Sequence, residues 1–351
     1  MKEPLLGKTM AELQQLAVDM GLPKYTATQL ADWLYAKRAV AIDEMTNLSK
    51  AIRAQLSEKY EMGISLPEKV QRSNDAVKKY LFSDRSGNYF ETAVIPDKDR
   101  ITVCVSSQAG CKMGCLFCMT GKQGFQGQLT ANEIVNQIRS IDEAATVTNI
   151  VYMGMGEPFD NTEEVLKSID ILTSERGFAM SPRRITVSTI GVIPGMLEFL
   201  NKSEAHLAVS LHSPFEDERR KLMPIQARYP IDDVVRRIRN SGVGGQRRVS
   251  FEYIMFKGIN DTDRHVTGLL RLLNGVKCRL NLIHFHPVPG VNLEGSDETT
   301  IAAFKDRLNE KGLLTTIRAS RGMDICAACG LLSTKEFVKK PKTNRSQTEK
   351  N

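Results

Sequence analysis

The 351-residue sequence predicts an α/β fold with two unequal parts, a small helical domain followed by an open (β/α)₆ barrel. From about residue 100, short β-branched runs alternate with amphipathic segments, which is typical of a parallel sheet covered by helices. Six or so repeats are too few for a complete eight-stranded barrel. Before about residue 60, apolar residues recur every three or four positions and strand-like runs are scarce, which indicates helices.

The N-terminal helices are predicted over Met10–Met20, Ala27–Arg38 and Met45–Lys59. Two runs of alternating apolar and polar residues come next, Lys78–Ser83 and Tyr89–Ile95. The five residues between these runs are rich in Asp, Gly and Asn, which favour turns. The two runs therefore predict a β-hairpin.

The barrel strands are predicted from runs of apolar and β-branched residues. The candidate strands are Ile101–Val105, Asn149–Met153, Arg184–Ser188, His206–Leu211, Val249–Phe256, Arg279–Phe285 and Leu314–Ile317. Helices are expected between most of them, for example Asn132–Ala144, Thr162–Thr173 and Ile231–Asn240. In such folds the chemistry lies at the C-terminal ends of the strands, and the polar and glycine-rich motifs of this sequence fall there.

Four segments are expected: a helical accessory domain over 1–62, a hairpin connector over 63–100, the barrel core over 101–334, and a tail over 335–351. The net charge is +7, and the tail carries six Lys or Arg against two Glu. A basic polar tail of this kind can follow RNA phosphates, and it can equally serve only to keep the protein in solution. Charge therefore permits an RNA substrate without requiring one.

The composition also bears on location. No apolar run reaches 18 residues, so no transmembrane helix is expected, and the first residues lack the pattern of a secretory signal. Seven unevenly spaced cysteines do not resemble a secreted disulfide framework. We therefore expect a protein of the reducing cytoplasm, where cysteines more often bind metals or act as catalytic thiols.

Cys111, Cys115 and Cys118 are the most informative residues of the sequence. Structural zinc takes four ligands, and a ferredoxin-type [4Fe–4S] cluster takes four thiolates, so three thiolates leave one iron open. Because Phe117 precedes the last cysteine, the run also fits C-x₃-C-x-Φ-C, the signature of radical S-adenosylmethionine enzymes. In those enzymes the amino and carboxylate groups of the cofactor chelate the open iron. The alternative is a chance cluster of thiols without a metal.

The Gly154-to-Pro158 run follows the second barrel strand. Its glycines would let backbone amides approach a ligand, and Glu157 would pair with an ammonium group or a ribose hydroxyl. A tight turn before a helix-starting proline explains the same run equally well when it is taken alone.

Near the end of the chain, Cys326 and Cys329 form a C-x-x-C pair, which suggests zinc or redox chemistry. No second such pair exists outside the cysteine triad, so the glycine- and alanine-rich loop better suits a thiol that moves towards a substrate.

Together these residues resemble the RlmN family of radical S-adenosylmethionine methyltransferases, which is related to the Cfr resistance methyltransferases. The resemblance covers nearly the whole chain and implies a partial (β/α)₆ radical-SAM barrel with a small N-terminal helical domain and a β-hairpin extension. The motifs that carry it are Asp43–Lys50, Glu91–Pro96, Cys104–Gln108 running into the triad, Met153–Pro158, Val187–Thr189 and Asp324–Gly330.

The resemblance implies a [4Fe–4S] cluster on Cys111, Cys115 and Cys118 and two molecules of S-adenosylmethionine per turnover. The first molecule would methylate the Cys329 thiolate by simple displacement. The second would be cleaved on the open iron to a 5′-deoxyadenosyl radical, which would take a hydrogen atom from the S-methyl group. The resulting carbon radical would add to an adenine ring, because that ring carbon is too electron-poor to attack a sulfonium directly.

The later steps implied by the family use two further residues. Glu91 would act as the proton acceptor that removes the ring proton. Cys104 would attack the sulfur of Cys329 and release the product, leaving a transient disulfide. Cys326 is not a family requirement, and it introduces the risk of a competing Cys326–Cys329 disulfide.

The family's cofactor contacts fall on residues at the predicted strand ends. They correspond to Gly156, Glu157, Ser188, Ser210, Leu211 and His212. His286 stands where many members have Asn before a proline, and a histidine can still donate a hydrogen bond there. A lone histidine at a strand end is more often structural, so both histidines carry that alternative.

The resemblance implies methylation of carbon 2 of an adenine in the peptidyl transferase centre of 23S rRNA, and of the adenine 3′ of the anticodon in some tRNAs. Pro158 favours carbon 2 over the carbon-8 (Cfr-like) branch, which usually differs at that position. It also implies an electron donor such as flavodoxin, no membrane partner and a monomer. The N-terminal helices, the Arg247–Arg248 pair and the tail are expected to contact phosphates.

Two rival interpretations remain at this point. One is a radical enzyme that acts on a protein or a small molecule, which would need neither Cys104 nor Cys329. The other is a non-catalytic RNA-binding module with a structural zinc, which would contain no iron or sulfide.

Overall fold

The computed structural model describes residues 2–244 and 246–334. The predicted basic tail over 335–351 lies outside these residues. The N-terminal domain contains β1 (Glu3–Pro4), α1 (Met10–Asp19), α2 (Tyr25–Ala31), α3 (Lys50–Lys59) and β2 (Tyr60–Glu61). β1 and β2 pair in parallel, and the helices enclose a second hydrophobic core, to which Val135 and Ile171 of the barrel also contribute. The N-terminal segment is therefore helical, as the sequence predicts.

Two of the predicted N-terminal helices differ in their bounds. The second continues beyond α2 as a π-helical turn over Asp32–Ala36. The third begins at Lys50 and not at Met45, because the Ser49 side chain accepts a hydrogen bond from the Ile52 N–H and caps the helix there. A capping residue therefore overrides the apolar spacing that favours an earlier start.

The hairpin prediction is confirmed. β4 (Lys78–Ser83) and β5 (Tyr89–Asp97) pair in antiparallel fashion, after a short exposed strand, β3 (Lys69–Arg72), that the sequence did not reveal. β5 continues the pairing to the first barrel strand, with Ala93 opposite Cys104. The hairpin is thus an extension of the barrel sheet.

The barrel follows the predicted rhythm of strands and helices. Its elements are β6 (Arg100–Cys104), β7 (Gln108–Gly110), α4 (Met119–Gln123), β8 (Phe125–Gln128), α5 (Ala131–Arg139), β9 (Asn149–Tyr152), α6 (Thr162–Thr173), β10 (Ile185–Thr189), α7 (Ile193–Lys202), β11 (His206–Ser210), α8 (Glu216–Leu222), α9 (Ile231–Asn240), β12 (Val249–Met255), α10 (Asp263–Leu273), β13 (Cys278–His284), α11 (Glu298–Glu310) and β14 (Thr315–Arg318). The ten-stranded sheet has the order β14-β13-β12-β11-β10-β9-β6-β5-β4-β3.

The strands from β6 to β14 in that sheet are parallel. They form an open barrel of six βα units, and β14 is the last strand after these units. Every predicted barrel strand lies within a residue or so of an observed one. The predicted helix over Asn132–Ala144 is shorter, because α5 ends at Arg139 and turns follow.

The two faces of the barrel sheet differ in chemistry. Val187, Leu207 and Leu280 are fully buried in the main core between the strands and the outer helices. Alternating positions such as Ser250 and Thr316 instead line a cavity inside the barrel. Because successive side chains of a strand point to opposite faces, this alternation gives an apolar outer layer and a polar lumen.

Candidate active site

The cysteine triad lies on the long loop after β6, at the C-terminal ends of the strands. Cys111, Cys115 and Cys118 line one cavity of about 150 Å³. Burial raises the pKa of Cys111 to about 12 and that of Cys115 well above its ordinary value, and the neighbouring cysteines raise both further. Thiolates crowded into a buried site need a strong cationic partner, so this donor set fits an iron–sulfur cluster.

Within residues 2–244 and 246–334, no three His, Cys, Asp or Glu side chains converge on a site for a single metal ion. A [4Fe–4S] cluster distributes its thiolate ligands over separate iron atoms, so the ligands need not meet at one point. A structural zinc would require that convergence, together with a fourth ligand. With three cysteines and an open fourth position, the donor set fits the cluster better than a four-ligand zinc site.

The Gly154–Pro158 loop also borders this cavity, although its glycines have a packing reason of their own. A β-carbon on Gly154 would lie 2.6 Å from the Val105 carbonyl oxygen, and one on Gly156 would lie 2.6 Å from the Gln108 side chain. Gly156 also has a φ of +102°, which disfavours any other residue. The loop packs against the segment that leads into the triad, which positions both on the same cavity.

Glu157 is buried on the wall of the triad cavity. Its carboxylate accepts hydrogen bonds from the Thr189 hydroxyl at 2.6 Å and from the Ile190 N–H at 2.9 Å. Burial raises the pKa of Glu157 to about 7, even though these hydrogen bonds act in the opposite direction. The carboxylate thus ties the end of β9 to the end of β10.

Three more of the predicted cofactor contacts line the triad cavity: Ser188, Ser210 and His212. Nδ1 of His212 accepts a hydrogen bond from the Ile254 N–H at 3.0 Å. Burial and then the nearby Arg219 cation lower the pKa of His212 to about 3, so the ring is neutral and carries its proton on Nε2. Leu211 differs from the others, because its side chain lies in the main core and it does not line the cavity.

Cys329 stands on a wall shared by two cavities. It lines the triad cavity, and it also lines a neighbouring cavity of about 350 Å³ that contains Cys104 and His286. The structure therefore brings together both predicted members of the thiol pair, which are far apart in sequence. It places His286 beside the thiol pair and not on the triad cavity.

Cys104 is held rigidly at the end of β6 and is buried. Burial, and then a thiolate on Cys329, raise the pKa of Cys104 to about 12, while the Arg318 cation acts in the opposite direction. A thiolate on Cys329 likewise raises the pKa of Arg318 above its ordinary value. The charge states of Cys104 and Arg318 therefore depend on each other and on a thiolate at Cys329.

Arg318 is a site residue that the sequence did not single out. It ends β14, its Nη1 lies 3.1 Å from the Met153 sulfur, and the same atom is 3.8 Å from a carboxylate oxygen of Glu252. The only available signal was an arginine at the C-terminal end of a barrel strand, the position where such folds carry functional residues.

Arg219 is a second residue that sequence reasoning missed. It is fully buried, and its guanidinium donates to the carbonyls of Leu211, Ile190 and Ser210 and to the Gln226 side chain. Because these carbonyls belong to the ends of β10 and β11, Arg219 fixes two walls of the triad cavity. Its position on a short polar helix, α8, gave no indication of this role.

The loop that carries Cys329 is anchored on its N-terminal side by the β3–β4 turn. Arg321 donates to the Asp75 carboxylate at 3.0 Å and to its backbone carbonyl at 2.6 Å, and the Gly322 N–H donates to the same carboxylate. The Asp324 carboxylate also accepts from Ser73 and from the Asn74 N–H. The β3–β4 turn therefore holds the start of this loop.

The other side of the loop is joined to α4 of the triad loop. The Met119 N–H donates to the Gly330 carbonyl at 2.8 Å, and the Thr120 hydroxyl donates to the Leu332 carbonyl at 2.6 Å. Gly330 has a φ of +82°, and a β-carbon there would lie 3.2 Å from the Phe117 carbonyl oxygen. The Cys329 loop and the triad loop thus pack directly on each other.

Glu91 lies on β5, outside the residues that line these two cavities. One carboxylate oxygen forms a buried ion pair with Lys79 at 2.9 Å, and the other accepts from the Ser333 N–H at 2.9 Å. The predicted proton acceptor is therefore next to the end of the Cys329 loop but is covered by it. Its predicted role stays a prediction.

An open barrel with a C-x₃-C-x₂-C loop at the C-terminal ends of its strands defines a radical S-adenosylmethionine enzyme, and residues 105–270 match the radical SAM superfamily. Residues 4–62 match the ribosomal RNA large subunit methyltransferase N-terminal domain. The chain belongs to the RlmN family of dual-specificity RNA methyltransferases, as the relatives below show. A [4Fe–4S] cluster and S-adenosylmethionine are accordingly its cofactors.

The relatives are similar over almost their full length. A probable dual-specificity RNA methyltransferase RlmN from Parabacteroides distasonis is 54% identical, covering 96% of this chain and 98% of the relative. A dual-specificity RNA methyltransferase RlmN from Syntrophus aciditrophicus is 41% identical over 95% and 97% of the two chains. The crystal structure of a radical SAM methyltransferase from Sphaerobacter thermophilus matches with a TM-score of 0.88 and 40% identity, over 94% and 99%. These matches confirm the predicted family and fold.

Among the described residues, no helix combines the length and the apolar character needed to cross a membrane.

Proposed function

We propose that this radical SAM RNA methyltransferase methylates carbon 2 of an adenine in 23S rRNA and of the adenine 3′ of the anticodon in some tRNAs, with Cys329 as the methyl carrier. The observation that carries the proposal is the position of Cys329 on the wall between two cavities. One cavity holds the three thiols assigned to the cluster, and the other holds Cys104. A carrier thiol needs both neighbours.

Cys111, Cys115 and Cys118 would hold the cluster, which together with S-adenosylmethionine supplies the radical that removes a hydrogen atom from the carrier methyl group. Cys329 is first methylated in a displacement, in which its sulfur gains the methyl group of one S-adenosylmethionine. Arg318 lines both cavities that Cys329 borders, so it would place a cation beside the Cys329 sulfur during this displacement.

Cys104 completes the cycle. Once the carrier carbon is bonded to the adenine, attack of Cys104 on the Cys329 sulfur forms a disulfide and breaks the sulfur–carbon bond. The methylene carbon keeps the bonding electrons and takes up a proton, so the RNA gains a methyl group. Two electrons must then reduce the disulfide before the next turnover. Glu91 would take the ring proton, which requires the segment around Ser333 to move off its carboxylate, and the unpaired electron left on the adduct would return to the oxidised cluster.

Gly156, Glu157, Ser188, Ser210, Leu211, His212 and His286 remain the proposed cofactor contacts. Ser188, Ser210 and the neutral His212 offer polar groups on the triad cavity. Leu211 would contribute only through its backbone, and Glu157 through an oxygen that already accepts bonds from the protein. His286 lies on the thiol-pair cavity, so a contact from it would come from the side on which RNA is methylated.

The proposed domain roles follow the same division. Residues 1–62 would bind RNA, 63–100 would connect the two parts, and 101–334 would form the radical SAM core. Deleting residues 1–60 should weaken RNA binding and methylation, while unchanged affinity would contradict the role of this domain. A flavodoxin-like electron donor and a monomeric state remain predictions.

The function is tested by anaerobic reaction of the cluster-loaded protein with S-adenosylmethionine, a reductant, and fragments of 23S rRNA or tRNA. Nucleoside analysis should show 2-methyladenosine, and mass spectrometry of the unreacted enzyme should show a methyl group on Cys329. Cys329→Ala should abolish methylation, whereas Cys104→Ala should trap the RNA on Cys329. Production of 8-methyladenosine would favour the Cfr-like reaction, and an unmethylated Cys329 in active enzyme would refute the carrier mechanism.

A further inference from the structure

The barrel has a second opening at the N-terminal ends of its strands, opposite the cysteine triad. A cavity of about 750 Å³ lies there, which is within the size range of ligand sites. Its rim is formed by residues just before or at the start of β10, β11, β12, β13 and β14. We call this opening, with its rim residues Arg183, Arg247, Arg248, Lys277 and Arg279, the basic mouth.

The charge of the basic mouth is largely unbalanced. In the part of the chain that the structure describes, Arg183, Arg248, Lys277 and Arg279 have no carboxylate within 4.0 Å, although Arg100 at the same cavity pairs with Asp97. Cations on the outer helices commonly do pair, as in Lys202 with Glu198 and Arg220 with Glu216. Unpaired cations gathered at one opening repel each other and attract a polyanion.

Two further observations show that these cations act on the same space. Burial and then Arg248, Arg247, Arg183 and Arg279 lower the pKa of His206, which lies on the cavity wall. Nη1 of Arg247 donates to the Leu200 carbonyl, whereas its buried Nε and Nη2 find no acceptor among the described residues. Buried guanidinium donors without a partner are costly, so Arg247 would gain hydrogen bonds by turning towards a phosphate at the opening.

The mouth leads to the reactive thiol. Thr186, Ser250, Asn281 and Thr316 line its inner wall and give a polar passage through the lumen. Met153 and Arg318 line the mouth, the triad cavity and the thiol-pair cavity alike. The guanidinium of Arg318 therefore stands where the passage meets Cys329.

We propose that RNA reaches Cys329 through the basic mouth. Phosphates beside the target adenine bind Arg183, Arg248, Lys277 and Arg279, and the unstacked base enters the lumen as far as Arg318. S-adenosylmethionine uses the triad cavity at the opposite strand ends. Because a duplex is too wide for the lumen, the ligand class is a single-stranded or looped RNA segment with an extruded base. This inference rests on the proposed function and adds the path of its substrate.

The test compares a mouth variant with a matched control. The mouth variant combines R183Q, R248Q, K277Q and R279Q, and a milder version carries only K277Q and R279Q. The control combines R237Q and R271Q, two exposed arginines on the outer helices α9 and α10 with no ion pair in the described structure. Full-length, cluster-loaded proteins are titrated into a fluorescent RNA hairpin with an adenine in its loop, over a range of KCl concentrations.

We expect the four-charge variant to bind the hairpin about tenfold or more weakly than the wild type. The slope of log Kd against log salt should fall by about 0.7 for each phosphate that the variant no longer neutralises. The two-charge variant should show roughly half that slope change, and the control should bind like the wild type. Equal affinity of mouth variant and control would overturn the inference. Thermal unfolding of each variant identifies a loss of fold.

Footprinting tests the same path without a variant. Cys278 lines the basic mouth and is partly exposed. The hairpin RNA should slow its reaction with N-ethylmaleimide in proportion to the bound fraction, while a blunt RNA duplex of equal length should not. Unchanged Cys278 labelling with bound hairpin would contradict entry through the mouth. If the wild type neither methylates Cys329 nor modifies RNA, the proposed function fails, independently of these results.

Discussion

Cys104 is expected to be a slow nucleophile until its surroundings change. With a pKa of about 12, its thiolate fraction at pH 8 is about 1 in 10⁴, against about one quarter for an ordinary thiol of pKa ~8.5. A more basic thiolate is intrinsically more reactive, by roughly 40-fold over this difference for a Brønsted slope of about 0.45. The net effect is alkylation about 60-fold slower than that of an ordinary thiol at pH 8.

The perturbation is Arg318→Gln, which removes the cation that lowers the pKa of Cys104. Each further unit of pKa should slow the reaction about another three- to fourfold, since a tenfold loss of thiolate is partly offset by reactivity. Arg237→Gln, which removes an exposed arginine from α9, should change nothing.

The assay is peptide-resolved mass spectrometry of iodoacetamide labelling between pH 6.5 and 10.5, with the exposed Cys326 of the same protein as reference. Burial that only hinders access would slow Cys104 by a constant factor and leave a plateau near pH 9. A raised pKa instead keeps the rate rising beyond pH 10. A plateau below pH 9.5 in the wild type, or wild-type reactivity in Arg318→Gln, would show that a raised pKa does not control the reactivity of Cys104.

Three further results are expected. Gly330→Ala should destabilise the packing of the Cys329 loop on the triad loop by about 1–2 kcal/mol, because alanine is disfavoured at positive φ; a loss of that size in the free energy of unfolding, together with slower Cys329 methylation, would show it. Arg219→Met leaves strand-end carbonyls without a donor and should lower the free energy of unfolding by about 3 kcal/mol or more in urea titrations; a loss below 1 kcal/mol would contradict its structural role. The pKa of Glu157 is raised in the folded state, so its stabilising contribution is present below pH 4.5 and is lost as the pH rises through about 7. The free energy of unfolding of Glu157→Gln, relative to that of the wild type, should therefore rise by up to about 3 kcal/mol between pH 4.5 and 7. A difference that does not change with pH would disprove this.

Much of the fold could be predicted because its signals are local. The barrel strands are continuous β-branched runs separated by amphipathic helices, and both patterns depend only on neighbouring residues. The predicted start of α3 was wrong because a single hydrogen-bonding side chain, that of Ser49, decides where the helix begins. Strand β3 was missed because it is short, polar and exposed, so only its pairing with β4 defines it.

Some residues of the candidate site could likewise be recognised from local sequence, and others could not. Cys111, Cys115 and Cys118 are recognisable because their spacing within one loop is itself the signature. Arg318 and Arg219 have no motif, and their importance comes from neighbours that are distant in sequence, such as Cys104 and the strand-end carbonyls. Glu91 is a different case. The family resemblance assigns it a role, but its buried ion pair with Lys79 could be seen only in the folded chain.

The double anchoring of the Cys329 loop has a kinetic consequence. Asp75 holds one end of the loop and Thr120 holds the other, so Cys329 explores only a small volume around Cys104. Reaction between these two thiols is then intramolecular, with an effective concentration far above that of small thiols in solution. In the proposed cycle the tethered pair should outcompete glutathione for closure of the disulfide, so the β3–β4 turn that holds the loop would also protect the Cys329 sulfur from thiols of the surrounding solution.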